Sequence, residues 1–161
     1  MRRALLCALA CTLAACGDDG EETDTDTITA DPDFPADYQQ SYTEVRDCRG
    51  SGDHNLNNVR ILASPSALTP YQDRVDPFPI DAVVIKEEYA FDDTACTGPI
   101  SRWTVMRKLE AGSAPETLDW TWQDVTSDRT VIEVDGTGCV NCHTGCGNPP
   151  DGYDGTCSIP P

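Results

Sequence analysis

The chain has 161 residues, nine of them cysteine, and a formal net charge of −17 at pH 7. This length corresponds to about one domain, so we expect a single hydrophobic core. The strong negative charge argues against nucleic acid and anionic membrane surfaces as partners, because both would repel the protein.

Residues 1–15 have the pattern of a bacterial lipoprotein signal peptide. Arg2 and Arg3 form a charged start, the apolar run that follows is too short to span a bilayer, and the lipobox sequence LAAC ends at Cys16. We therefore expect acylation of Cys16, which would attach the protein to the bacterial cell envelope by lipid alone, facing the periplasm. Gly17 favours the outer membrane over the inner one. A simply secreted protein is the alternative.

Residues 16–37 are predicted to be an acidic, disordered tether. The segment from Gly17 to Asp37 contains no Lys or Arg, and Asp, Glu and Thr dominate it. Such a composition cannot bury enough apolar surface to offset the entropy lost on ordering. The folded domain is therefore expected over residues 38–145, followed by a Gly- and Pro-rich tail at 146–161.

The folded part is predicted to begin with a helix. Asp37 can cap it, Tyr38, Tyr42 and Val45 stand at i, i+4 and i+7, and it should end near Cys48. Five strands rich in β-branched and aromatic residues follow, with a short helix between the first two. Their approximate ranges are 57–63, 80–89, 102–109, 119–125 and 129–134. This pattern predicts a mainly β (α+β) single domain, an antiparallel sheet with an N-terminal helix.

The motif with the most specific chemistry is Cys139-Val140-Asn141-Cys142-His143. Two thiols three positions apart, with a histidine directly after the second, are what covalent c-type haem attachment requires. The thiols would add to the two haem vinyl groups, and His143 would bind the iron as proximal ligand. A redox dithiol is expected at a strand-to-helix turn in a βαβ pattern, and a zinc site needs a second pair of ligands at metal-ligand spacing; the sequence has neither. A structural disulfide with an incidental histidine is the main alternative.

The other cysteines form an even set once the signal peptide, the lipidated Cys16 and the haem motif are set aside. They are Cys48, Cys96, Cys146 and Cys157. In an oxidising compartment they predict two disulfides. Three connectivities are available. We favour Cys146–Cys157, which would staple the tail, together with Cys48–Cys96, which would tie the end of the first helix to a loop between strands.

The order of an N-terminal helix, a β-sheet and a CxxCH motif near the C-terminal end resembles the cytochrome P-460 family, which includes the cytochrome c′-beta branch. The likeness extends over about residues 35–143. The resemblance rests on the shared order and spacing of several sequence fragments. The matching fragments are Pro35-Ala36-Asp37-Tyr38, Val59-Arg60, Phe78 eight positions before Lys86, Val105-Met106-Arg107-Lys108, Trp120 twelve positions later, and the haem motif.

The resemblance implies a five-coordinate haem with one axial position open to small nitrogen compounds such as hydroxylamine or nitric oxide. It also implies three residue roles. Lys86 matches the lysine that is cross-linked to haem in hydroxylamine-oxidising members, and Arg60 matches an arginine of the distal pocket. Thr104 stands where those members have a distal carboxylate, which predicts slow oxidation of hydroxylamine. Glu88, on the same face of its strand as Lys86, is an alternative carboxylate.

We therefore expect a lipid-anchored haem protein that binds, and slowly oxidises, hydroxylamine or nitric oxide, with a soluble redox partner. The alternative is a non-enzymatic gas binder or electron carrier. An electron carrier would need a sixth iron ligand, for which His54 and Met106 are the candidates. Trp103, Trp120 and Trp122 are expected in the core or in the wall of the haem site.

Overall fold

The structure is a computed structural model, and it describes residues 28–52, 54, 57–147 and 152–157. The predicted signal peptide and the lipidation site at Cys16 lie outside these ranges. Over the ranges described, no helix has the length and apolar character needed to cross a membrane.

The described chain forms a six-stranded antiparallel sheet in which each strand pairs with the next along the sequence. The strands are β1 (Thr43–Gly50), β2 (Asn58–Ala63), β3 (Val83–Tyr89), β4 (Arg102–Lys108), β5 (Trp120–Thr126) and β6 (Val131–Val134). Helix α1 (Leu68–Asp73) follows β2, and helix α2 (Thr137–Thr144) follows β6. The prediction of a mainly β, antiparallel fold is confirmed, and the five predicted strands correspond to β2 to β6.

The predicted N-terminal helix is wrong. A single 3₁₀ turn spans Tyr38–Gln40, and from Thr43 the chain runs as the edge strand β1, which pairs with β2. Tyr38 is buried in one core of the sheet and Val45 in the other. The helical spacing therefore grouped side chains that the fold separates, because pairing along the sheet edge outweighed a weak local helix preference.

The folded domain begins inside the segment that was predicted to be a tether. Phe34 is buried and packs against Trp103, with ring centroids 5.6 Å apart. The backbone N–H of Asp33 donates to the side chain of Gln123 at 2.8 Å, and the Asp33 carboxylate pairs with Arg107. Packing against the sheet therefore starts before the expected boundary at residue 38.

Each face of the sheet carries its own hydrophobic core. As alternation along β3 predicts, Val83 and Ile85 pack in one core and Val84 in the other. We call the face that bears Val84 the site face, because α2 packs there through Cys139. The expectation that the tryptophans are buried is confirmed, with Trp103 on the opposite face and Trp120 and Trp122 on the site face.

Both favoured disulfides are present. Cys48–Cys96 joins β1 to the loop after β3, and Cys146–Cys157 closes the tail. The first bond starts from a strand instead of the expected helix end. Cys139 and Cys142 are free thiols and are not joined to each other.

Loss of the Cys48–Cys96 bond is expected to destabilise the protein more than loss of Cys146–Cys157. The bonded cysteines are 48 and 11 positions apart respectively, and the chain-entropy relation then gives about 4 and about 3 kcal/mol. Chemical denaturation of the two paired Cys→Ser variants checks this order. Non-reducing peptide mapping checks the connectivity, which recovery of a mixed pair would contradict.

Candidate haem site

The haem motif lies on α2. Cys139, Cys142 and His143 are related as i, i+3 and i+4, so their side chains project from one side of the helix. The Cys139 thiol is half-buried, and burial, followed by the nearby carboxylate of Glu133, raises its pKa. This cysteine is therefore a protonated thiol at neutral pH.

His143 is held in a defined tautomer. Its imidazole is 9% exposed, and Nδ1 lies 2.7 Å from the carbonyl oxygen of Gly155. Because a carbonyl can only accept, Nδ1 carries the proton and Nε2 keeps its lone pair. Burial, and next the positive charge of Lys86, lower the pKa of His143 to about 4. The neutral imidazole with an unprotonated Nε2 is the form that binds iron.

The C-terminal tail positions the carbonyl that holds His143. The Nζ of Lys108 donates to both carboxylate oxygens of Asp154, at 2.8 and 2.9 Å. Trp120 Nε1 donates to the backbone carbonyl of Asp154 at 2.8 Å. Gly155 has a φ of +80°, in the left-handed region that glycine tolerates best. These contacts fix the backbone at Gly155, whose carbonyl accepts from His143. The tail therefore forms part of the site.

Replacing Lys108 by Met is expected to weaken this support. The Asp154 carboxylate would lose its buried cationic partner, at a cost of about 2 to 3 kcal/mol in the free energy of unfolding. In haem-loaded protein, the ferrous iron–histidine vibration should move to lower frequency, because the acceptor of the His143 N–H is displaced.

Denaturation and resonance Raman spectra of the Lys108→Met variant measure the two effects. Arg107→Met is the matched control: Arg107 is the preceding residue on β4, and its guanidinium pairs with Asp33 away from the tail. The control should leave the vibration in place. Equal vibrations in both variants would show that the tail does not position His143.

A cavity of about 370 Å³, which we call the haem cavity, lies between α2 and the site face. Its lining residues from the helix include Cys139, Cys142 and His143, and those from the sheet include Lys86 and Thr104. The strand register brings these sheet residues together. Lys86 is the direct partner of Thr104, and Thr104 is the partner of Asp124. Direct partners share a face, so the three side chains stand in one row across the cavity wall.

The cavity wall contains buried polar atoms that the described residues do not satisfy. The Oγ1 of Thr104 and the Nε1 of Trp122 have no hydrogen-bond partner within the described part of the chain. Buried polar atoms in native proteins are normally paired. The wall also has an apolar part, formed by Val84 and Met106. A mainly apolar wall with a few polar atoms is what a cofactor or ligand pocket requires.

A hydrogen-bonded chain of side chains reaches the cavity at Lys86. Its Nζ lies 2.6 Å from His54 Nε2, and His54 Nδ1 lies 3.2 Å from the carboxylate of Glu88. Glu88 is 1% exposed and also accepts from Asn57 at 3.1 Å. Burial would raise the pKa of Glu88, but the hydrogen bonds from His54 and Asn57 hold it below its usual value.

The hydrogen bonds that link Lys86, His54 and Glu88 bear on two roles that were considered from the sequence, a sixth iron ligand and a distal base. Both ring nitrogens of His54 are engaged, which argues against His54 as a sixth iron ligand. Both carboxylate oxygens of Glu88 are also engaged, which makes Glu88 a poor substitute for a distal base. Met106, the other candidate ligand, packs in the core of the site face.

The structure does not bring Arg60 to the haem cavity. Arg60 points to the opposite face of the sheet, where its Nε donates to Glu87 at 2.7 Å and its Nη2 to the hydroxyl of Tyr89 at 2.8 Å. Its neighbour Ile61, not Arg60, is the cross-strand partner of Lys86. Because successive strand residues face opposite ways, the distal role predicted for Arg60 does not fit this register.

The arginine in the wall of the cavity is Arg102, which is ion-paired with Asp124. Neither residue was predicted from the sequence to belong to the site. Each stands on a predicted strand, but nothing local indicates that Asp124 is opposite Thr104, since that depends on the register of β4 with β5. Arg102 and Asp124 therefore add a charged pair to the site beside Thr104.

Comparison with known proteins returns no matching family model and no matching curated protein. In the described part of the chain, no group of three or more His, Cys, Asp or Glu side chains is placed to hold a metal ion. The fold and the site thus define a six-stranded antiparallel protein whose CxxCH helix covers a cavity on one sheet face.

Proposed function

We propose that the protein carries a c-type haem bound through thioether bonds to Cys139 and Cys142, with His143 as the proximal iron ligand. One observation carries the proposal. The three residues of the motif line a single cavity, and the hydrogen bond from His143 to Gly155 leaves Nε2 free to ligate. A bare dithiol or a structural disulfide would give no reason for this orientation of the imidazole.

When bound, the haem would supply an iron centre that exchanges electrons and takes up a small ligand. Around that ligand the chain offers the Lys86 amine, the Thr104 hydroxyl and the Asp124 carboxylate, which stand in one row. Together with the likeness to the cytochrome P-460 family, this row supports hydroxylamine or nitric oxide as the ligand, with Lys86 linked to the haem. The proposed activity is binding with slow oxidation, assisted by a soluble redox partner.

A non-enzymatic gas-binding role is the second candidate. The observation that favours it is the state of two carboxylates in the cavity wall: Glu88 is bound by His54 and Asn57, and Asp124 is bound by Arg102. A carboxylate held by a cation or by hydrogen bonds is a weaker base than a free one. Proton removal from a ligand would then be slow.

We further propose that the protein is anchored at Cys16 in the bacterial envelope and faces the periplasm, with the outer membrane favoured. The support is the lipobox and Gly17. Metabolic labelling with a fatty acid tests this, because Cys16→Ser should lose the label.

The absorption spectrum of haem-loaded protein separates the open site from an electron carrier. Ferrous high-spin bands would support the open axial position, whereas a sharp six-coordinate α-band would favour electron transfer. A red-shifted ferrous Soret band is expected if Lys86 is bonded to the haem. Lys86→Ala should remove that shift while the haem stays covalently attached. Arg107→Ala, at a cation that pairs with Asp33 and does not line the cavity, is the control. An unchanged Soret band in Lys86→Ala would contradict the proposed link.

A further inference from the structure

A second cavity, of about 780 Å³, lies at the end of the sheet where the C-terminal tail packs, and we call it the tail groove. Its wall is formed by the loop before β3, the loop from β4 to β5, and the tail. No described residue lines both the tail groove and the haem cavity. Much of the wall is apolar and includes Phe78, Ile80, Leu109, Leu118 and Tyr153.

The segments that form the tail groove are strongly acidic. Residues 76–80, 108–119 and 153–154 contain one Lys and five acidic residues, which are Asp76, Glu110, Glu116, Asp119 and Asp154. The backbone carbonyl of Asp76 accepts from the hydroxyl of Tyr153 at 2.8 Å, which places Asp76 beside the groove. The Lys108 side chain is 9% exposed and is paired with Asp154. Once that pair is set aside, these segments carry four carboxylates and no cation.

The tail groove is joined to the proposed iron ligand by a short run of bonds. Tyr153 and Asp154 line the groove, and the next residue, Gly155, accepts from Nδ1 of His143 at 2.7 Å. An electron couples more strongly through covalent bonds and a hydrogen bond than across open space. A redox centre held over the groove would therefore have a bonded route to the iron.

We propose that the tail groove is the docking site of a small, basic electron-transfer protein. This inference rests on the proposed haem function and deepens it by giving the surface and the charge of the redox partner. The haem would pass one electron at a time through His143 and Gly155 to the oxidised partner, which is thereby reduced, and no bond is made or broken.

The charge of the groove selects this occupant. An apolar patch with a charged rim is the arrangement of a protein–protein interface, and opposite charge on the partner speeds the encounter. A second copy of this chain is disfavoured, because it would bring the same carboxylates against those of the groove.

The test is the rate at which reduced, haem-loaded protein reduces a ferric mitochondrial cytochrome c, a small basic electron carrier, in a stopped-flow experiment. For the wild type the second-order rate constant should fall as salt is added, because salt screens the attraction between opposite charges. The double variant Ile80→Lys/Glu110→Lys places positive charge on two exposed side chains of the groove. It should lower the rate constant about tenfold at low salt and flatten the salt dependence. Glu110→Lys alone should give a smaller loss in the same direction.

Ile132→Lys/Asp92→Lys is the matched control. It changes the net charge by the same amount at an exposed isoleucine and an exposed aspartate that do not line the groove. Its rate constant should stay within about twofold of the wild type. Equal losses in the two double variants would show that only net charge matters and would overturn the inference. A midpoint potential shifted enough in the groove variant to explain its slower rate would overturn it as well.

Asn141→Lys tests a different docking face, the exposed side of α2 beside Cys142. A loss of rate there, with none in the groove variant, would place the partner on α2 and overturn the inference. Sedimentation of the wild type tests for a second copy: a dimer that Ile80→Lys/Glu110→Lys dissociates would assign the groove to self-association instead. Failure of the wild type to attach haem would overturn the proposed function itself. Attached haem whose electron transfer is indifferent to the groove overturns only this inference.

Discussion

Replacing Cys139 and Cys142 together by Ala is expected to abolish haem staining of the protein on a denaturing gel. Thioether bonds survive denaturation, whereas axial ligation by His143 does not. Both thiols line the haem cavity, and neither is used in a disulfide. The effect should therefore be complete, because no other free cysteine in the described part of the chain can take their place.

The control is the Cys48→Ala/Cys96→Ala variant, which removes the same number of cysteines from a disulfide outside the cavity. It should lose stability but keep the stain. Covalent haem that persists without Cys139 and Cys142 would disprove the central proposal.

Thr104→Glu is expected to raise hydroxylamine turnover by about a hundredfold, the scale of a positioned general base. The Thr104 hydroxyl is too weak a base at neutral pH, and its Oγ1 has no hydrogen-bond partner in the described structure. Asp124, the neighbouring carboxylate in the row, is held by Arg102. A glutamate at position 104 would therefore add to this row a carboxylate that is not the ion-pair partner of Arg102.

Thr104→Gln controls for the size of the new side chain, because it lacks a base and should leave turnover at the wild-type rate. The measurement is the steady-state rate of hydroxylamine oxidation by each variant. Nitric oxide affinity is measured alongside it to check that the pocket is intact. Fast turnover by the wild type, with no gain in Thr104→Glu, would place the base elsewhere. Asp124→Asn and Glu88→Gln would then identify it.

The local sequence pattern was sufficient to predict most strands of the sheet. Strands β2 to β6 were predictable because period-two alternation of residues such as Val83, Val84 and Ile85 records burial on the two faces of a strand. The CxxCH motif could be singled out for a similar reason: its three reactive groups are adjacent in the chain, so their spacing alone is enough to propose haem attachment. The two disulfides could be proposed because only four cysteines remained to pair.

Three features depended on tertiary contacts between distant segments. Residues 43–50 became a strand because β2 offered an edge to pair with. The register of β2 with β3 decided that Ile61, and not Arg60, stands beside Lys86. The tail reaches His143 only because Lys108 and Trp120 bind Asp154, more than thirty positions away in sequence. Alternation shows which face a residue takes along its own strand, but only strand register and side-chain pairing decide which residues meet across the sheet.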